Sequence, residues 1–272
     1  MRILISVDIE GIGGVESQSQ LNQQTIPEYR KSCELMTGET NAAVMACVAA
    51  GCEKIYVLDG HAQSKNIIRE NLSKDCILLE RSQALTMMTG VEKDIDAVLF
   101  IGYHGMAGKP ESFCAHTNST KLVKSLTINN QEASEGITNA IIGKHYNAKV
   151  IFISGTDKGV SELKKEIPSI HSFVNLASIS STEAISVAVP ENLEKIKQEI
   201  ISAISNFDKI GFISLSTKNL EFSVELKEKF PLASLHQSEI SNKGEKITFF
   251  AEDIVQGYAK YREILDIVKQ KN

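Results

Sequence analysis

Five stretches of this chain are apolar almost without a break over the length of a strand. They are RILISVD (2–8), KIYVLD (54–59), AVLFIGY (97–103), LVKSLTIN (122–129) and KVIFISG (149–155). A strand with one face in water alternates apolar and polar residues, whereas a strand covered on both faces need not. Continuous runs therefore call for helices above and below them, and the intervening sequence supplies candidates. One runs from Pro27, at a favourable first helical position, to about Ala50 before Gly51. A second spans about Ser134 to Tyr146, and a third follows Gly155. This alternation predicts an α/β fold with a mainly parallel sheet flanked by helices.

After about residue 165 the rhythm changes. A helix from roughly Glu191 to Asn206 precedes apparent strands KIGFISLS (209–216), LEFSVEL (220–226) and KITFFAE (246–252), and a helix from about Asp253 to Lys269 follows. Strands that succeed one another without a helix each time suggest a smaller α+β part. The expected organisation is an α/β domain over residues 1–165 and an α+β C-terminal domain over residues 166–272.

In open α/β sheets, ligands bind beyond the carboxyl ends of the strands, and those ends can be read directly. The first run ends in Asp8 and Glu10, which alternate across Ile9 and so face one side of an extended chain. The second ends in Asp59-Gly60-His61 and the third in His104; His116 follows on the same loop, and Glu135 opens a helix. Each has an ordinary reading. An acid pair after a strand is often a cap or a solvated turn, a loop histidine is often a hydrogen-bonded surface residue, and Glu135 fits helix-start dipole chemistry. Their coincidence is what matters: carboxylates and imidazoles together form the donor set for zinc or a similar divalent ion. In sequence, no lysine or arginine closer than Arg2 could neutralise the acid pair. The site thus falls in the first part of the chain. His145, His171 and His236 stand outside the pattern and read as structural or exposed. Asp59 reads equally well as an orienter of a ligand or as a plain turn residue.

Competing motifs fit poorly. EGIGG is not G-x-G-x-x-G, no GK[ST] follows it, and two acids at its entrance repel phosphate. As a D-x-D of aspartyl-phosphate chemistry, the pair has Glu in place of the second Asp, and Gly follows it. The net charge of −5, from 29 basic and 34 acidic residues, argues against nucleic-acid or anionic-membrane binding. No segment approaches the roughly 18 apolar residues of a membrane span, and the short, acid-terminated N-terminal run does not read as a signal peptide. Five scattered cysteines without CxxC suit a reducing, cytoplasmic setting.

The motifs S-V-D-I-E-G (6–11), D-G-H (59–61), G-Y-H (102–104), A-H-T (115–117) and E-G-x-x-N-A (135–140) resemble, in this order, those of the zinc-dependent D-aminopeptidase family encoded with bacterial dipeptide-transport genes. The resemblance implies a dinuclear zinc site: Asp8 bridging both ions, Glu10 and His61 on one, His104 and Glu135 on the other, and His116 as the catalytic residue beside them. It further implies release of the N-terminal residue of short, D-amino-acid-containing peptides by a zinc-bound hydroxide, and a ring-shaped homo-oligomer enclosing the sites. The same donors would serve a metal-dependent amidohydrolase acting on a small non-peptide amide, or a metal-binding module without turnover. Cys114, two residues before His116, is the competing nucleophile. A metal site would capture a thiolate as a ligand, and histidine's ordinary pKa near 6.5 suits proton transfer, so His116 is the expected catalytic group.

Overall fold

The computed structural model describes residues 1–228, 241–243 and 245–271. In chain order its elements begin with β1 (Arg2–Val7), α1 (Ile26–Ala49), β2 (Lys54–Asp59), β3 (Ile77–Leu78) and β4 (Ala97–Tyr103). The hairpin β5 (Val123–Ile128) and β6 (Gln131–Glu132) leads into α2 (Glu135–His145), β7 (Lys149–Thr156) and α3 (Asp157–Glu166). Next come β8 (His171–Ser178), β9 (Ala184–Ser186) and α4 (Val189–Ser205). The chain closes with β10 (Lys218–Leu226), β11 (Ser241–Lys243), β12 (Lys246–Asp253) and α5 (Ile254–Lys271).

The larger sheet has the order β3-β2-β1-β4-β7-β8-β9, parallel except where β9 runs against β8. Every residue of β4 is buried, as is all of β1 and β7 beyond partly exposed ends. The uninterrupted apolar runs are thus the centre of a two-faced sheet. Helix α1 packs on α4 in one layer, and α2 packs on α3 in the other. From β1 the chain steps through α1 to β2, then crosses back to β4 on the other side of β1. The switch point of the sheet therefore lies at the ends of β1 and β4, where such folds open a crevice.

A second, antiparallel sheet has the order β11-β12-β10-β5-β6 and packs against α5. Two sequence readings change here. LVKSLTIN forms β5, but in this second sheet: Val123, Leu126 and Ile128 are buried while Lys124 is exposed, the alternation of a one-faced strand. KIGFISLS (209–216) forms no strand: after a short 3-10 turn at Phe207–Lys209 its backbone is irregular. The Lys144 ammonium donates to the Ile213 and Leu215 carbonyls, each at 2.9 Å, and the Gly211 N–H donates to Ser169 Oγ. Side chains satisfy groups that a sheet neighbour would otherwise pair, while Ile210, Ile213 and Leu215 enter the core. Conversely, HSFVNLAS, half-exposed and unremarkable in sequence, forms β8 of the main sheet. Residue 165 accordingly falls between two paired strands, β7 and β8, and the second sheet draws on both parts of the chain.

Among the described residues, no helix is long and apolar enough to cross a membrane.

Candidate metal centre

The end of β1 and the end of β4 meet with no room for side chains. The Asp8 N–H donates to the Ile101 carbonyl and the Gly11 N–H to the Gly102 carbonyl, both at 2.8 Å. A Cβ on Gly11 would collide with the Tyr103 carbonyl oxygen, and one on Gly102, whose φ is +74°, with the Asp8 carbonyl oxygen. Glycine is thus needed for backbone contact, which accounts for the start of EGIGG without any phosphate. The contact sets Asp8 and Glu10 beside the residues that follow β4.

Six side chains converge there: Asp8, Glu10, His61, His104, His116 and Glu135. His61 Nδ1 lies 3.3 Å from Asp8 Oδ1 and 3.0 Å from Glu10 Oε2. His104 Nε2 lies 3.4 Å from Asp8 Oδ2 and 3.6 Å from Glu135 Oε1. Asp8 therefore turns one oxygen to each of two donor groups, Asp8–Glu10–His61 and Asp8–His104–Glu135. His116 Nε2 stands 3.9 Å from Glu10 Oε1 and 3.7 Å from Glu135 Oε1, and a third group, Glu10–His104–His116, is also compact enough to share an ion.

Hydrogen bonds fix which nitrogens face the site. A carbonyl can only accept, so the contact of His104 Nδ1 with the Gly105 carbonyl at 2.9 Å keeps a proton on Nδ1 and makes Nε2 the nitrogen that carries the lone pair in the neutral ring. His116 repeats the device through the Cys114 carbonyl at 2.8 Å, and the two rings stack with centroids 4.1 Å apart. Cys114 has φ +49°, so the backbone at that carbonyl is held in the left-handed region. His104 Nε2 and Glu10 Oε2 are buried and, apart from their close contacts with Asp8 and His61, have no hydrogen bond of good geometry among the described residues. Buried polar atoms of that kind call for an unseen partner, and a divalent ion supplies it.

Electrostatics point the same way. Burial opposes charge on Asp8, but hydrogen bonds and charge from His104 and His61 outweigh it and hold the carboxyl well below its usual range. Burial likewise opposes charge on both imidazoles. For His61 the Glu10 charge and contacts with Asp8 prevail, pushing its pKa well up. For His104 the Asp8 hydrogen bond and the Glu135 charge prevail, pushing it up to about 10. Three carboxylates in one pocket create a demand for positive charge that protons or metal ions can meet.

The supporting residues were only partly visible in sequence. Asp59 does not touch the His61 ring: it accepts from Asn66 N at 2.6 Å, Asn66 Nδ2 at 2.9 Å and Ile67 N at 3.0 Å, closing the loop that carries His61. Asn66 Nδ2 also donates to the His61 carbonyl, and the Tyr29 hydroxyl to Asn66 Oδ1. Glu135, at the first turn of α2, accepts the Asn118 N–H at 2.7 Å, while Ser134 caps the helix by accepting the Ile137 N–H. Behind the Glu10 loop, buried Glu39 of α1 accepts the Gly13 N–H at 2.7 Å and amide protons of Asn175 and Asn192. Asn175 also donates to the Gly11 carbonyl at 2.9 Å. Glu162 of α3, its pKa pushed up by burial to about 7, accepts the Met106 N–H beyond His104. A lone acid within the small and apolar stretch of α1 was the only sequence sign of Glu39.

Cys114 is buried, and burial pushes its thiol well up, followed by the charges of Glu10 and Asp8. His145 packs edge-on against Tyr146 and His171 pairs with Glu199 at 3.2 Å, away from the site. His236 lies outside the described residues.

A cavity of about 840 Å³ opens on the cluster. Asp8, Glu10, His61, His116 and Glu135 line it, while His104 lies behind them. Helix α5 of the second sheet walls it through Arg262, Leu265 and Val268.

A family model described as D-aminopeptidase matches residues 1–261. The chain belongs to the D-aminopeptidase family. A D-aminopeptidase of Bacillus subtilis (strain 168) is 24% identical over 211 residues, 77% of this chain and 76% of that protein. A solved structure, "Zn-dependent D-aminopeptidase DppA from Bacillus subtilis, a self-compartmentalizing protease", matches with a TM-score of 0.90 and 22% identity. The match covers 99% of this chain and 97% of that one, and at this identity the likeness is one of fold. This D-aminopeptidase family member thus shares its whole α/β architecture, second sheet included, with that structure.

Proposed function

We propose that the protein is a zinc-dependent aminopeptidase that removes the N-terminal residue of short peptides, D-residues among them, at a site for two ions. The observation that carries this is the disposition of Asp8, whose two oxygens face two different imidazoles at 3.3 and 3.4 Å, one of them with an orphaned buried nitrogen. Donors about 2.0–2.1 Å from a tetrahedral zinc stand about 3.3–3.4 Å apart, and the contacts of Asp8, Glu10, His61, His104 and Glu135 scatter around that spacing. The residues fit the metal. Glu10 and His61 would hold one ion, His104 and Glu135 the other, with Asp8 shared. When bound, the pair supplies Lewis acidity toward the scissile carbonyl and an activated water near neutral pH.

The remaining chemistry belongs to the chain. His116 lines the cavity, its Nδ1–H tied to the Cys114 carbonyl, so Nε2 is the atom presented to substrate. From there it can pass a proton to the leaving amine or donate to the developing oxyanion. The high thiol pKa of Cys114 removes it as a competing nucleophile. One of the ions would also hold the free amino end of the peptide, which supports cleavage from that end. The D-aminopeptidase relatives support the D preference, and the self-compartmentalizing neighbour supports a ring-shaped homo-oligomer that admits short peptides and excludes folded proteins. Five unpaired cysteines fit a cytoplasmic setting.

The test is metal analysis together with a peptide screen. Saturating zinc at neutral pH should give two ions per chain, and Asp8→Ala should lose more metal than any other single ligand change. One ion or fewer in the wild type refutes the paired site. Failure to hydrolyse any short peptide with a free amino terminus refutes the activity.

A further inference from the structure

The floor of the cavity is acidic, but one wall is not. Arg81 donates from Nη1 to the Gly60 carbonyl at 2.9 Å and from Nη2 to the Ala62 carbonyl at 2.5 Å. These carbonyls flank His61, so the guanidinium is fixed beside the proposed metal site. Arg262 reaches the same wall from α5, partly exposed, and both arginines also border a neighbouring cleft of about 1720 Å³. Neither guanidinium forms an ion pair within 4.0 Å with an acid among the described residues.

Two guanidinium groups at one wall repel each other; burial and then the Arg262 charge both lower the pKa of Arg81. Nearby acids do little to offset this. Asp59 also acts on Arg81, but its carboxylate is taken up by Asn66 and Ile67. Asp8 belongs to the cluster of imidazoles. Glu228 and Asp266, on the cavity rim, are exposed. Arg81 uses two of its five N–H donors on carbonyls, which leaves donors for a ligand. What is missing from this wall is an anion.

The aminopeptidase reading supplies one. A short peptide held by its amino end at the proposed metal site carries its own α-carboxylate only one or two residues away, roughly 3.3–3.6 Å of extended chain for each. We propose that Arg81 and Arg262 form the subsite for the C-terminal carboxylate of the substrate, making the enzyme selective for very short peptides with a free C-terminus. Arg262 is the specificity-determining member, since Arg81 also braces the His61 loop. This inference rests on the proposed aminopeptidase function and deepens it.

The experiment compares a dipeptide of D-alanine with its C-terminal amide, using zinc-loaded wild-type protein and the variants Arg262→Gln and Arg262→Lys. The expected result is a wild-type preference for the free acid of about tenfold or more in kcat/KM, on the scale of a charge-assisted hydrogen bond. Arg262→Gln should bring the acid-to-amide ratio toward one through a raised KM for the acid, and Arg262→Lys should restore part of it. Circular dichroism and zinc content establish that the variants are folded and loaded. Equal cleavage of acid and amide by the wild type overturns the inference alone, as does an acid preference that survives in Arg262→Gln. Wild-type protein that cleaves neither compound, nor any other free-amino peptide, overturns the aminopeptidase reading and the subsite with it.

Discussion

Replacing Glu39 with Gln tests the clamp behind the Glu10 loop. Glu39 is buried, and its partners are one backbone N–H and two carboxamides, with no cation among its described contacts. Burial raises its pKa from 4.5 to about 7, against the lowering effect of those hydrogen bonds. The folded protein therefore holds a proton that the unfolded chain releases near pH 4.5. The stability this contributes is fully present below that pH and is lost as pH rises through about 7, a total of about 3 kcal/mol. From about pH 5.5 to about pH 8, roughly 2 kcal/mol of it should disappear. Gln keeps the shape and cannot ionise. Its amide can donate to Asn175 Oδ1 or Asn192 Oδ1, both buried without partners among the described residues, once a carboxamide turns over. The assay is urea unfolding of wild type and variant at several pH values, at one protomer concentration and one zinc concentration. Glu162, His61 and His104 titrate in both proteins and cancel in the difference. The wild type should lose about 2 kcal/mol relative to Glu39→Gln across that range, and the infrared intensity of protonated carboxyls near neutral pH should fall in the variant, Glu162 keeping the remainder. A difference independent of pH, or equal protonated-carboxyl intensity in wild type and variant near neutral pH, refutes the argument.

Two further outcomes follow from the metal centre. His116→Ala should lower kcat by about 100-fold or more with zinc retained, on the scale of general-acid or oxyanion contributions, while Cys114→Ser keeps most of the activity because only the backbone carbonyl of Cys114 contacts His116; kcat at equal zinc occupancy decides, and the reverse pattern returns covalent catalysis to consideration. Zinc and protons compete for the same nitrogens of His61 and His104, whose pKa values are both pushed up in the metal-free protein, that of His104 to about 10. Zinc binding at pH 7–8 should therefore expel protons, that of His104 among them, and affinity should rise with pH; calorimetry in buffers of different ionisation enthalpy measures this, and binding without proton release contradicts the electrostatics.

What the sequence disclosed and what it hid divide along one physical line. Asp8, Glu10, His61 and His104 were legible because a buried parallel strand announces itself as an apolar run and so marks its own carboxyl end. Chain direction then places those ends on one side of the sheet. Nothing about the run shows which other chain segment covers it. The pairing of β5 with β10 joins residues about a hundred positions apart, and the carbonyls of Ile213 and Leu215 are claimed by Lys144, some seventy residues earlier. Glu39 meets Asn175 and Asn192 only after α4 has packed on α1, so in sequence it reads as an ordinary helical acid. Asp59 makes the point at a single residue. Its position before Gly60-His61 left orienter and turn residue equally open; in the structure it closes the turn by binding Asn66 and Ile67 without reaching the His61 ring, and it is Asn66 that holds the His61 carbonyl. Local chain order can bring a donor to the site, but the groups that hold it there come from elsewhere in the fold, and Arg81 and Arg262, far apart in sequence, meet at the cavity wall in the same way.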